Sequence, residues 1–314
     1  METRLNERTV YLNGEFLPES RALLSFRDAG FVYGDAVFDT ARTFNGVLFR
    51  LRNHVDRLFS SLAYCRIAIG MDRDEIAEVT EQVVARNRPL LGPNEDYWVS
   101  QRISSGPVPL DGEPPIQDGP TVVIECTPLP LRARAPMFRD GIDAVTAPLK
   151  RIPPDALSPN AKMNNYMNAV LSQREVSAIH PGAWALQLDR NGNIAEGIGC
   201  NVFFVIDGVI HTPREEFILP GVTRAVVIDL ARKSGFEVVE TDVSLHRASI
   251  ATEAFFTSTS LCVCPLRSLN GRSYLGLAGP VAKQLMALFS DEVGMDFAAQ
   301  YLAHLRDGSA KTGF

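Results

Sequence analysis

The chain has 314 residues, 46% of them hydrophobic, which is enough for two domains of ordinary size, each with its own core. A formal charge of −6 and no long basic stripe exclude a nucleic-acid phosphate backbone as partner. METRLNERTVYLNG has no apolar leader, and no run of about 18 apolar residues follows, so the chain reads as soluble, unexported and without a membrane partner.

Residues 10–12, the Asn13-Gly14 turn and residues 15–17 read as a β-hairpin. A second strand pair, 37–44 and 47–50, hinges on Asn45-Gly46. From 51 to 66, Val55, Leu58, Leu62 and Cys65 recur at helical spacing, and a further helix covers about 74–86. Strands at 97–103 and 121–126 complete an α+β domain over 1–126. Residues 127–136, with Pro128, Pro130 and Pro136, read as an interdomain linker.

The second domain, 137–314, begins with a strand at 142–149 and a helix at about 163–179. Strands follow at 185–188, 201–206 and 209–211, with turns at Asn191-Gly192 and Asp207-Gly208. A helix at 222–234, strands at 237–241 and 254–257, and a helix at 279–289 close the chain. The fold class is therefore mixed α/β, an α+β arrangement in two domains.

The five cysteines are odd in number and scattered, which suits a reducing compartment and makes the cytoplasm the expected location. Cys262 and Cys264 have no second pair or adjacent histidines; they read as strand residues, and no metal is expected. Gly197-Ile198-Gly199 lacks the third glycine of a dinucleotide fingerprint.

Four features have chemical potential. Lys162 opens the helix expected at 163–179; taken alone it is a solvated charge, because a catalytic lysine needs a special environment. Glu196 stands in a glycine turn entering an apolar strand, where a carboxylate can keep a pyridinium nitrogen protonated. Leu219-Pro220-Gly221-Val222-Thr223-Arg224 offers a glycine turn, backbone N–H groups at a helix start and a hydroxyl, the set that a phosphate dianion takes, although alone it is an ordinary helix start. Asn53-His54-Val55-Asp56-Arg57-Leu58 adds a basic helix, in which His54 reads as a structural residue packed near Arg57.

Six blocks occur in order: Tyr33-Gly34-Asp35-Ala36-Val37-Phe38-Asp39, Phe49 to Leu58, Ala161 to Tyr166, Glu196 to Phe203, Leu219 to Arg224, and Thr257-Ser258-Thr259. Through them the sequence, from about Val10 to Phe289, resembles the class IV aminotransferases, the fold type IV pyridoxal-phosphate enzymes. The resemblance implies a two-domain fold with pyridoxal 5'-phosphate between the domains. It also implies a ping-pong exchange of an amino group between an amino donor and a 2-oxo acid, and at least a homodimer.

Position by position, the resemblance implies that Lys162 holds the cofactor as a Schiff base and that Glu196 pairs with the pyridine nitrogen. Arg57, Val222, Thr223 and Thr259 would bind the phosphate, and Leu219 would pack on the ring face. Tyr166 falls where branched-chain members place a tyrosine against the phenolic oxygen, with one residue fewer separating it from the lysine.

The substrate side departs from the standard patterns. Residues 104–112 lack the arginine and histidine of the D-amino-acid type; Phe38-Asp39-Thr40 stands where branched-chain members have Phe-Glu-Gly, and Tyr97-Trp98-Val99 lacks an arginine two residues after the tyrosine. Strand alternation sends Phe38, Thr40 and Arg42 to one face. Phe38, Arg42, Tyr97 and Arg102 are the substrate-side candidates, with Arg42 or Arg102 to pair with a carboxylate. Tyr166 and its Asn-Tyr-Met-Asn segment look closest to branched-chain members, so branched-chain-like or broad aliphatic donors are expected. The alternatives are a D-amino-acid or (R)-amine transaminase with a non-standard carboxylate trap, and an aminodeoxychorismate lyase-like enzyme that eliminates pyruvate.

Overall fold

In the computed structural model the described residues are 7–305. Residues 1–6 of the polar N-terminal stretch and residues 306–314 of the second expected domain lie outside them. Backbone contacts divide the chain into two units. One runs to Leu129 and includes Ala161–Asn165; the other comprises Pro130–Asn160 and the chain from Tyr166 onward.

The first unit contains β1 (Thr9–Leu12), β2 (Glu15–Pro18), α1 (Ala29–Val32), β3 (Ala36–Phe44), β4 (Val47–Leu48), α2 (Leu51–Cys65), α3 (Arg73–Asn87), β5 (Tyr97–Ser104) and β6 (Thr121–Pro128). Asn13 (φ 48°) and Gly14 (φ 97°) supply the two left-handed positions that a tight hairpin turn needs. The strands form one antiparallel sheet in the order β2-β1-β6-β5-β3-β4. Val55, Leu58 and Leu62 of α2 and Ile76 and Val83 of α3 bury against Val37, Val99, Ile103 and Ile124 of the sheet. Each such side chain contributes about 1.5–3 kcal/mol. His54 and Ser61 lie among the buried residues of α2, so the apolar stripe carries two polar groups inward with it.

β3 is paired with β4 only at Thr43 and Phe44, which leaves its first residues at a sheet edge. Residues 161–165 fill that edge. Phe38 N–H donates to Lys162 O and Asn164 N–H to Ala36 O, each at 2.9 Å, and Val37 bridges to Met163. The helix expected from 163 therefore starts later, at Met167, because the backbone of 162–164 is engaged by the sheet. Lys162 belongs to the first unit, and its expected place in a second domain is corrected accordingly.

The second unit contains α4 (Leu131–Asp140), β7 (Ile142–Thr146), α5 (Met167–Ile179), β8 (Trp184–Leu188), β9 (Asn193–Gly197), β10 (Asn201–Ile206), β11 (Val209–Thr212) and α6 (Val222–Lys233). After these come β12 (Val238–Glu240), β13 (Val243–Ser244), α7 (Leu245–Ile250), β14 (Glu253–Ser258), β15 (Cys262–Leu269), β16 (Arg272–Ser273), α8 (Pro280–Val293) and α9 (Phe297–Leu302). The expected linker at 127–136 is instead the end of β6 and the start of α4, with Pro136 inside the helix. The burial of Leu131, Ala135 and Phe138 offsets the hydrogen bond that the proline cannot make.

Among the described residues this unit's strands form one ten-stranded sheet, β12-β11-β10-β14-β15-β7-β8-β9-β13, with β16 on β15. The β11–β12, β15–β7 and β7–β8 pairs are parallel. All of β10 is buried, which explains its unbroken apolar run, and Phe203 stacks on Phe255 of β14 at 5.0 Å. Among the described residues no helix is long and apolar enough to cross a membrane.

Candidate active site

In the first unit the polar groups gather where α2 crosses β3. Asp39 is fully buried, and Arg57 clasps it with two hydrogen bonds of 2.8 Å, from Nε to Oδ2 and from Nη2 to Oδ1. His54 Nδ1 lies 2.7 Å from Asp39 Oδ1. Burial alone would raise the Asp39 pKa, but the charge and hydrogen bonds of Arg57, with help from His54, hold it far below the usual carboxylate range. Burial lowers the His54 pKa below its ordinary 6.5 despite the neighbouring carboxylate, so the ring is neutral at pH 7 and its Nδ1 proton points at Asp39. The Arg57 guanidinium has five N–H donors, and the Asp39 fork takes two of them.

One helical turn beyond Arg57, Ser61 fixes the backbone of Lys162. Its Oγ accepts from Lys162 N–H at 2.9 Å and donates to Arg57 O at 3.0 Å. Lys162 is thus held at both its N–H and its carbonyl, and its Nζ lies 4.6 Å from the centre of the Phe38 ring. The structure gathers Arg57, Lys162 and Phe38 within one unit, along one end of β3.

Register sorts the remaining substrate-side candidates. Phe38 pairs with Arg102 and Arg42 with Trp98 across β3–β5, so Phe38, Arg42 and Arg102 share a face. Arg102 is exposed, with its guanidinium 5.3 Å from the Phe38 ring and 3.8 Å from Glu125. Arg42 is buried over Phe44 at 4.0 Å, and its Nε donates to Thr43 O. Tyr97 is on the opposite face, in the core under α3, where its hydroxyl donates to Asn87 O at 3.1 Å and burial raises its pKa. Its expected substrate contact is corrected: a residue one position from Trp98 points the other way.

In the second unit, Glu196 is on β9 and buried, not in a turn. Arg151 Nε donates to its Oε1 at 2.8 Å, while Leu219 N–H (3.0 Å) and Asn201 Nδ2 (3.3 Å) reach its Oε2. Asn201 Nδ2 also donates to Leu219 O at 3.0 Å, so the carboxylate and the segment leading into α6 are tied together. That helix starts at Val222 with Gly221 as its N-cap and no side-chain cap; Thr223, in its first turn, is buried. A Cβ on Gly221 would fall 2.1 Å from Asn201 Oδ1.

Thr259 occupies the turn joining β14 to β15, half-buried. Thr257, just before it, is the direct cross-strand partner of Asn201, and its buried hydroxyl has no hydrogen-bond partner. Tyr166 stands half-buried at the N-cap of α5. Glu196, Leu219, Val222 and Thr223 are thus brought together within the second unit, with Thr259 at the Asn201 end of the same sheet.

Ser61, Arg151 and Asn201 have structural roles here that pattern reading did not assign. Ser61 is one helical turn from Arg57, a spacing that could have revealed it. Arg151 follows β7 with no local signature.

The family described as amino-transferase class IV matches residues 36–269. The chain is 31% identical over 287 residues to the branched-chain-amino-acid aminotransferase of Escherichia coli strain K12, covering 89% of this chain and 91% of that protein. Among solved structures, the branched-chain amino acid aminotransferase of Escherichia coli superposes with a TM-score of 0.82 at 29% identity, covering 97% of this chain and 98% of the other. A second branched-chain amino acid aminotransferase, that of T.th., complexed with N-(5'-phosphopyridoxyl)-L-glutamate, gives a TM-score of 0.80 at 29% identity, covering 93% of this chain and 96% of the other.

Proposed function

This chain belongs to the class IV aminotransferases, and on that premise we propose that it transfers the amino group of branched-chain or similar aliphatic amino acids to a 2-oxo acid, with pyridoxal 5'-phosphate held on Lys162. The observation that carries the reading is the fastening of Lys162. Both its backbone polar groups are tied, to Ser61 and Phe38, so the side chain departs from a fixed point beside an aromatic ring.

The donor set suits the cofactor. The uncapped first turn of α6, with the Thr223 hydroxyl, presents donors of the kind a phosphate dianion takes, and the unpartnered Thr257 hydroxyl adds a polar group nearby in the sheet. Leu219 links that turn to Glu196, a carboxylate of the kind that pairs with a ring nitrogen. We assign phosphate binding to Arg57, Val222, Thr223 and Thr259, the ring nitrogen to Glu196, the ring face to Leu219 and the phenolic oxygen to Tyr166.

When bound, pyridoxal phosphate supplies the carbonyl that receives the amino group and the ring that stores the electron pair from Cα. The chain supplies the rest. Lys162 Nζ would take the Cα proton of the donor and deliver it, within the same half of the cycle, to the carbon that bore the carbonyl; in the second half it would carry a proton the other way, to Cα of the 2-oxo acid's product. Glu196 keeps the proton on the ring nitrogen, and Arg151 fixes the carboxylate that does so. Phe38 offers an apolar wall to the donor side chain, and Arg42 and Arg102, on its face, are the candidates for its carboxylate.

The relatives named for branched-chain substrates favour this reading over a D-amino-acid or (R)-amine enzyme and over a lyase. Steady-state rates with L-leucine, D-alanine and (R)-1-phenylethylamine, each with 2-oxoglutarate, test it. L-leucine should be the best donor; preference for either of the others, or pyruvate release without amine exchange, contradicts it. A cytoplasmic location and a homodimer complete the proposal. None of the five cysteines is joined in a disulfide, and four of them are buried; Leu24, Phe26, Phe31 and Tyr33 present an apolar surface suited to a second copy of the chain.

A further inference from the structure

We propose that Tyr301 and Arg134 form a positioning pair that holds the β14–β15 turn in the shape presenting Thr259, so that helix α9 helps to set how tightly the cofactor's phosphate is gripped. The inference rests on the assignment of Thr259 to the phosphate.

Ser260, next to Thr259, is held at two atoms by two helices far from it in sequence. The Tyr301 hydroxyl donates to Ser260 O at 2.5 Å, and Arg134 Nη1 donates to Ser260 Oγ. Within the turn, Leu261 N–H donates to Ser258 Oγ at 3.1 Å, and Cys262 takes a left-handed φ of 54° where β15 begins. An exposed turn of small hydroxyl residues is ordinarily among the less ordered parts of a fold. Here Ser260 is buried.

Both clamping side chains are themselves anchored. Tyr301 is fully buried and stacks on Phe138 of α4, with centroids 4.4 Å apart and planes at 17°. Phe297 packs edge-on against Phe138 at 6.0 Å and Phe289 at 5.7 Å, which fixes α9 to α4 and α8. The Arg134 guanidinium lies 5.8 Å from the Trp184 ring. Aromatic packing thus sets where the Tyr301 hydroxyl sits, and the hydroxyl sets the turn. Helix α9 lies beyond residue 269, where the family match ends. A change there alters the site without touching any of the six motif blocks.

The test is a double-mutant cycle on cofactor affinity, measured by titrating apoenzyme with pyridoxal phosphate for the wild type, Tyr301→Phe, Thr259→Ala and the double variant. Phenylalanine keeps the ring stacked on Phe138 and removes only the hydroxyl. Each single change should raise Kd about three- to ten-fold, the effect of one hydrogen bond. The double variant should bind no more weakly than Thr259→Ala alone, because both changes break one chain of contacts. Additive effects, or an unchanged Kd in Tyr301→Phe beside a raised one in Thr259→Ala, overturn the clamp alone. An unchanged Kd in Thr259→Ala overturns the assignment of Thr259 and the clamp with it. Arg134→Gln in the same cycle removes the second grip and should couple to Thr259 in the same way, which keeps the test decisive if Tyr301→Phe does not fold. A merely structural tyrosine would lower the melting temperature of the apoenzyme without coupling to Thr259.

Discussion

Asp39 is the residue on which the first unit's polar cluster turns, because it is the buried anion that faces Arg57 and His54. Asp39→Asn keeps the shape and removes the charge, leaving Arg57 partly enclosed without its counter-ion. A loss of about 3–5 kcal/mol is expected, the cost of breaking a buried pair from one side, and urea unfolding of the apoenzyme measures it. The pH dependence follows from the two shifted groups. Asp39 has a depressed folded pKa, so its contribution is complete above about pH 4 and is lost as the pH falls toward the folded value. His54, lowered by burial, acts in a higher window: its contribution is complete above about pH 6.5 and declines as the pH drops below that. His211 is lowered in the same direction. Melting temperatures taken from pH 8 to pH 3 should therefore fall in two stages, and His54→Gln should shrink the upper one more than the lower, which rests mainly on Arg57. The resemblance carried by the motif blocks singled out Lys162, Arg57 and Glu196 as candidates, but not what holds them. Asp39 meets its partners only once α2 is laid on β3, and Tyr97 was misjudged because a strand's facing depends on a register that no single strand displays.

At the level of elements, the start of α6 depends on an absent side chain. Gly221→Ala would drive a Cβ against Asn201 Oδ1, the residue that ties Glu196 to Leu219 O. The substitution should cost about 1–3 kcal/mol by overpacking and weaken pyridoxal phosphate binding. Gly70→Ala, which meets open space, should do neither. Melting temperature and a cofactor titration on the two variants check this, and equal behaviour would contradict the cradle. The hairpins and α2 were legible because Asn-Gly turns and a 3.6-residue apolar period are local signals. The 161–165 segment was not, since its conformation is imposed by the vacant edge of β3, more than a hundred residues earlier. The prolines around 127–136 suggested a linker, yet tertiary burial of Leu131, Ala135 and Phe138 makes a helix there.

For the whole molecule, a mixed α/β chain in two parts was readable from length and from the order of its elements. The assignment of Lys162 to a part was not, because the chain returns to the first unit for five residues before continuing in the second. The apolar surface of residues 23–33 belongs to the same scale. Phe31 is 80% exposed and Phe26 73%, so light scattering should give the mass of a dimer, and Phe26→Glu with Phe31→Glu should shift it toward the monomer; a wild-type monomer contradicts the pairing. The most direct test of amino transfer through Lys162 is the visible absorbance spectrum of the protein loaded with pyridoxal phosphate. The wild type should show a band that L-leucine converts to the pyridoxamine form and a 2-oxo acid restores, and Lys162→Ala should neither show the wild-type band nor complete the cycle. A Lys162→Ala protein that keeps both the band and the cycle would contradict the mechanism.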